Sequence, residues 1–221
     1  MKVEKPEKYN HRSLVVGIYN KLFDEFGKQN WWPAETPFEV VVGALLTQQT
    51  KWQNVEEAIK NLKQRGLMDA ESIASSDIEL LEETIYCTGF YRQKAKRLKQ
   101  ISTFFSENKM EEVFSLPLDE LRNTLLSLNG VGPETADSII LYAANRQKFV
   151  IDVYTKRIMK CLGIEGNYSQ LQELFEKNLP DDVDVYKEYH ALIVEYAKKY
   201  CVKKKCDICP LTGEFNGPDY L

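Results

Sequence analysis

The 221-residue chain has no excess of positive charge: 29 Lys and Arg stand against 33 Asp and Glu, a net charge of −4. That excludes a surface that is basic all round, so any site for a polyanion must be local. The chain also lacks an apolar run near the roughly 18 residues that a membrane-spanning helix needs. Its opening, MKVEKPEKYNHRSL, has neither the apolar core nor the small-residue cleavage site of a secretory leader. A cytoplasmic protein with no membrane partner is expected. Cysteine is scarce, five in all, and three of them crowd between Cys201 and Cys209. A disulfide framework spreads its pairs along a chain, so this cluster points to metal instead. Repeats, low-complexity linkers and alternating strand patterns are missing as well.

What is present is helical periodicity. Leu14, Val15, Ile18, Tyr19, Leu22 and Phe23 recur at helical spacing, as do Phe38, Val41, Val42, Leu45 and Leu46, and later Leu192, Ile193 and Tyr196. Breaks fall at WWPAETP, Gly66, CTGF, SLPLDE, NGVGP and GIEGNYS. These signals predict an all-α fold of about ten helices. Only KFVID, Lys148 to Asp152, reads as extended, and it is too short for a sheet. Two helical lobes sharing one cleft are expected rather than two tethered domains.

In LNGVGPETADSI, Leu128 to Ile139, two glycines close a turn that feeds directly into a helix. Gly130 and Gly132 are expected at positive φ, and Pro133 fits a first helical turn, where a missing N–H costs nothing. Backbone donors of Gly130, Val131, Gly132 and Thr135 then offer an anion site, with a DNA phosphate as the natural ligand. A plain corner between two helices would read the same way.

Residues 128–157, LNGVGPETADSIILYAANRQKFVIDVYTKR, resemble the helix-hairpin-helix and following aspartate of the endonuclease III superfamily of DNA glycosylases. The likeness continues through FEVVVGALLTQQTKWQNV, GFYRQKAKRL and the cysteine cluster, and within the superfamily it is nearest the 3-methyladenine DNA glycosylases of endonuclease III type. The resemblance implies a two-lobed all-α fold with its active site in the interlobe cleft. Residues 33–146 would form a continuous helical domain ending in the hairpin; residues 1–32 and 147–221 would form the second lobe, with the cysteine cluster. It further implies a monomeric enzyme acting on double-stranded DNA that contains a damaged base.

Asp152 matches the catalytic aspartate of that family, although an aspartate here also reads as a helix N-cap. A fixed carboxylate stabilises the oxocarbenium charge that builds on the sugar as an N-glycosidic bond breaks. Lyase members carry a lysine in the hairpin helix that forms a Schiff base with the sugar. Glu134 stands at that position here, so the resemblance implies hydrolysis without lyase chemistry, with Glu134 a secondary site residue or a first-turn acid favoured by the helix dipole. Gln49 matches the residue that fills the hole left by a flipped nucleotide. Trp31, Trp32 and Trp52 are candidates to stack on an electron-poor alkylated base. Lys94 and Lys96, within YRQKAKRLK, form a candidate phosphate strip, and a second group surrounds the cysteines at Lys198, Lys199 and Lys203 to Lys205.

The family's C-terminal cysteines ligate a [4Fe–4S] cluster through four residues. Here Cys201, Cys206 and Cys209 are present and Phe215 occupies the fourth place. Either Asp219, another carboxylate or solvent completes such a cluster, or the tail carries reduced thiols and no metal. Cys87 and Cys161 read as small buried apolar residues on helices. Two rivals stand beside an alkylpurine glycosylase: an enzyme of the same fold acting on oxidised pyrimidines or mismatched bases, and a non-catalytic helix-hairpin-helix lesion sensor in which Asp152 is only a cap.

Overall fold

The computed structural model describes residues 11–211, apart from the Cys206 side chain. The described residues are all-helical, as the periodicity predicts, with α1 His11–Phe26, α2 Pro37–Leu46, α3 Trp52–Gln64, α4 Ala70–Ser75, α5 Ile78–Thr84, α6 Tyr91–Glu107, α7 Met110–Ser115, α8 Leu118–Ser127, α9 Pro133–Ser138, α10 Val153–Cys161, α11 Tyr168–Asn178 and α12 Val183–Tyr196. Helices α9 and α12 each run on into a wider helical turn, Ile139–Ala143 and Ala197–Cys201. Among the described residues twelve α-helices stand where about ten were expected; α4, α5 and α7, of six or seven residues each, are less than two turns long and leave only a weak periodic signal. No described helix is long and apolar enough to cross a membrane.

The chain divides into two compact units, Trp32–Lys148 and the pair Met1–Trp31 with Phe149–Leu221. In the first, α2 is the centre. Its sequence PFEVVVGALL is apolar on all sides and every residue from Phe38 to Leu46 is buried, which a helix with one solvent face could not tolerate. Thr36 caps it by accepting from the Glu39 N–H at 3.1 Å, and Pro37 starts it. Helices α3 and α6 and the turn Ile139–Ala143 pack against α2, while α6 also covers α4 and α5. The one acid on α2, Glu39, is 4% exposed and meets Lys63 Nζ at 3.0 Å.

The other unit is organised by α12, against which α1 and α10 pack. Tyr189 is fully buried, and its hydroxyl donates to the Val15 carbonyl at 2.8 Å, tying α12 to α1. Its ring meets Tyr19, Phe149 and Phe175 edge-on, and Phe149 stacks on Phe175 with centroids 4.3 Å apart. The stretch Lys148 to Ile151 is non-helical and finds no sheet. Its buried polar groups are satisfied by α11 instead: Phe149 N–H donates to Glu176 at 2.9 Å, and Gln172 Nε2 donates to Phe149 O at 2.7 Å. This fixes the chain immediately before Asp152.

Candidate active site and nucleic-acid interface

The hairpin joins α8 to α9, and an ion pair between a half-buried arginine and a buried aspartate locks the two: Arg122 Nε and Nη2 donate to Asp137 at 2.7 and 3.1 Å. The two glycines have different tasks. Gly130 has φ +84°, and a Cβ there would meet Arg97 Cδ at 2.3 Å, so both backbone and space demand glycine. Gly132 does not have the expected positive φ; at φ −91° and ψ 177° it is the extended N-cap of α9, a conformation open to any residue. A Cβ on Gly132 would meet nothing within 4 Å. One further expectation is corrected. Val131 is buried and its N–H donates to Leu128 O. Thr135 is 6% exposed and its hydroxyl accepts from Gln48. The Val131 N–H is therefore taken up within the turn and not open to a phosphate, and the outer face of the hairpin is the half-buried Gly132 with the exposed Pro133 and Glu134.

Gln48 and Gln49 also separate. Gln48 Nε2 donates to Gly130 O at 2.9 Å and to Thr135 Oγ1 at 3.0 Å, while its Oε1 accepts from Arg97 at 2.9 Å. It is the brace between the loop after α2 and the hairpin. Gln49 is exposed with φ +53°, a left-handed conformation that costs a non-glycine residue roughly 1 kcal/mol. Phe90 is its counterpart on the loop before α6, 67% exposed at φ +47°.

The two loops are held together from beneath. Lys94 Nζ donates to Leu46 O at 2.8 Å and to Thr88 O at 2.9 Å, and the Thr50 hydroxyl also reaches Thr88 O. The expected phosphate contact by Lys94 is therefore wrong: at 2% exposure its ammonium serves two carbonyls, and burial pushes its pKa down to about 8. Lys96 is exposed on the opposite side of α6, with Arg92 exposed nearby and 3.7 Å from Glu82.

Trp32 meets Trp52 edge-on at 5.2 Å and Tyr142 at 5.3 Å, and Gly43 leaves room for the Trp32 ring, which would come within 3.0 Å of a Cβ there. Trp31 stands against His190, centroids 5.7 Å apart.

Asp152 caps α10, and it does so with one oxygen. Oδ1 accepts from the Thr155 N–H at 2.7 Å and from the Thr155 hydroxyl at 2.8 Å, whereas Oδ2 lies 3.8 Å from His190 Nε2. Both side chains are at least nine-tenths buried. Burial lowers the His190 pKa, partly opposed by the Asp152 charge, which favours a neutral ring. Sequence reasoning missed His190, Tyr142 and Phe90.

In the cysteine region, Cys161, Cys201 and Cys209 line a single cavity with Tyr196, Tyr200, Arg157 and Lys205. Cys161 is exposed, contrary to expectation, and Cys87 is half-buried with its Sγ 3.4 Å from Asn54 O. The Cys206 side chain, Phe215 and Asp219 lie outside the described residues. Of the basic group here, Lys198 pairs with Glu195 at 3.0 Å and Lys199 with Glu25 at 2.7 Å.

The family described as HhH-GPD superfamily base excision DNA repair protein matches residues 42–181, which include the brace, the hairpin and Asp152. The chain belongs to that superfamily. It is a DNA glycosylase of base excision repair with the endonuclease III fold. It is 52% identical over 212 residues, covering 92% of this chain and 96% of the other, to a Methanocaldococcus jannaschii protein named as a candidate DNA repair glycosylase. Endonuclease III of Thermotoga maritima is 27% identical over 177 residues, 78% of this chain and 79% of that one. Among solved structures, the H. pylori 3-methyladenine DNA glycosylase bound to 1,N6-ethenoadenine superposes with TM-score 0.75 at 30% identity, covering 86% of this glycosylase and 97% of that chain. A non-covalent endonuclease III–DNA complex gives TM-score 0.78 at 20% identity, covering 91% and 94%.

Proposed function

We propose that this glycosylase hydrolyses the N-glycosidic bond of an alkylated purine such as 3-methyladenine in double-stranded DNA, and leaves an abasic site without cutting the strand. The observation that carries the reading is Glu134, exposed in the first turn of α9 at the position where lyase members of the superfamily hold lysine. A carboxylate cannot form an imine with the sugar, so water is left as the nucleophile.

Asp152 supplies the anion that such a reaction needs. Thr155 fixes Oδ1, and His190, 3.8 Å from Oδ2 and favoured in its neutral form by burial, leaves the charge of the carboxylate in place. That charge stabilises the oxocarbenium as the C1′–N bond breaks and orients the water that attacks C1′. The base departs with the bonding electrons, so a positively charged alkyladenine leaves as a neutral base and the water proton passes to solvent. Little acid catalysis is required. The Trp32, Trp52 and Tyr142 rings fit the same substrate class, because aromatic faces attract a cationic base by about 0.5–2 kcal/mol each. The likeness to the H. pylori 3-methyladenine enzyme supports this choice.

On the DNA side, Gly132 presents bare backbone at the start of α9 and Lys96 offers a point charge for phosphates. Gln49 and Phe90 are exposed side chains on strained backbone, suited to enter the stack when a nucleotide is turned out. A second reading, a glycosylase for mismatched or oxidised bases, is favoured by the 27% identity over 204 residues with a Pyrobaculum aerophilum thymine/uracil-DNA glycosylase. Borohydride trapping on abasic duplex tests the hydrolytic claim. No covalent adduct is expected; a stable adduct mapped to a lysine such as Lys156 sinks it.

A further inference from the structure

Gln49 and Phe90, both exposed on left-handed backbone, belong to two different loops, the one after α2 and the one before α6. A single residue of α6 reaches both loops. Lys94 Nζ donates at 2.8 Å to the carbonyl of Leu46, the last residue of α2, and at 2.9 Å to the carbonyl of Thr88, immediately before Gly89 and Phe90. The Lys94 backbone N–H donates to Phe90 O at 3.0 Å, so this residue holds the chain on both sides of Gly89. From the other loop the Thr50 hydroxyl reaches the same Thr88 oxygen. A carbonyl that ends a helix carries partial negative charge, and a cation placed beside it is favoured.

Packing alone does not require a lysine here. Lys94 is 2% exposed, on the buried side of α6 with Ala95, Leu98, Ile101 and Phe105, and a methionine has nearly the same length without a charge to desolvate. What the ammonium adds is two charge-assisted hydrogen bonds that tie one loop to the other. Such a tie matters where two loops must act at one point. A stacked base occupies roughly 3.4 Å of the duplex axis, so a shift of about 1 Å between the loops is a large fraction of the space that a side chain must enter.

We propose that Lys94 is a positioning residue for turning the target nucleotide out of the duplex: by holding Leu46 O and Thr88 O on one ammonium, it fixes Gln49 and Phe90 relative to each other, so that both enter the stack as one unit. The inference rests on the reading above in which those two side chains enter the stack. Lys94 itself is too buried to touch DNA and acts only through the two loops. Its effect therefore falls on targets paired in a duplex, where a hole must be filled, and not on a single strand, where there is none.

Single-turnover excision of 3-methyladenine by the full chain, from duplex and from single-stranded DNA, gives a ratio of rates that tests this. In Lys94→Met the ratio should fall about tenfold or more, the cost of misplaced groups. In a Gln49→Gly/Phe90→Ala background the same substitution should lower it by less than about twofold, because side chains that are absent cannot be misplaced. Thr50→Val removes the second donor to Thr88 O without touching a charge, and should lower the ratio by about threefold, the worth of one hydrogen bond; it decides the matter should Lys94→Met fail to fold. Equal slowing on both substrates, a ratio unchanged in Lys94→Met or Thr50→Val, or an undiminished effect in the Gln49→Gly/Phe90→Ala background overturns the proposal. A Gln49→Gly/Phe90→Ala protein with the wild-type ratio instead overturns the reading that these side chains enter the stack, and the inference with it.

Discussion

Asp152 Oδ2 lies 3.8 Å from His190 Nε2, while Asp152 Oδ1 is taken up by the backbone and hydroxyl of Thr155. One carboxylate thus performs two tasks with two oxygens, capping α10 and facing a buried imidazole. The tasks separate by mutation. Asp152→Asn retains an acceptor for the Thr155 N–H, so unfolding free energy should change by less than about 1 kcal/mol. Losing the charge should slow single-turnover excision by about 10²–10³-fold, the usual cost of a lost electrostatic stabiliser. Unchanged excision removes Asp152 from the chemistry.

His190 predicts a pH dependence of stability. Its folded pKa lies below the ordinary 6.5 because burial disfavours the charged ring. Below about pH 6.5 the unfolded chain therefore binds a proton that the folded one refuses, and stability falls as pH drops toward the folded pKa. Above pH 6.5 both states are neutral and the effect vanishes. Urea unfolding from pH 7.5 to 5 should show a loss of up to ~1.4 kcal/mol per pH unit that is missing in His190→Gln. Parallel curves for the two proteins contradict this.

The hairpin glycines should respond oppositely. Gly130→Ala meets both the positive φ and Arg97, and should cost roughly 2–4 kcal/mol of stability. Gly132→Ala has room and ordinary backbone angles, so stability should stay within about 1 kcal/mol. Its added methyl faces the approach to the start of α9, and duplex affinity should fall about tenfold, the worth of one hydrogen bond to a charged group. Full DNA affinity in Gly132→Ala would remove the phosphate contact from the account.

These glycines also show what was legible in the sequence. The helical period, the breaks and the hairpin were readable because α2, α8 and α9 are local patterns. Lys94 was misread as a phosphate contact although the signal was present: it shares spacings of four and three with Leu98, Ile101 and Phe105, the buried stripe of α6. Cys161 was misread the same way, since it stands off the stripe of Thr155, Ile158, Met159 and Leu162. The pairing of Asp152 with His190, and of Trp32 with Tyr142, joins residues distant in sequence through packing, and no local spacing encodes it.

Gln49 offers a test of strain against use. Gln49→Gly removes the cost of the left-handed backbone and should gain up to about 1 kcal/mol of stability. It also removes the side chain proposed to fill the hole in the duplex, so excision from a paired target should slow by about tenfold or more. A target presented in single-stranded DNA leaves no hole, and there the variant should match the wild type. Equal loss on both substrates contradicts the assignment.

Mass analysis of both products from a duplex carrying one 3-methyladenine, incubated with the full wild-type chain, tests the central claim most directly. The account predicts free 3-methyladenine together with an unbroken strand bearing an abasic site. Retention of the base by a protein that releases oxidised pyrimidines or mismatched thymine, or release accompanied by strand cleavage, would contradict it.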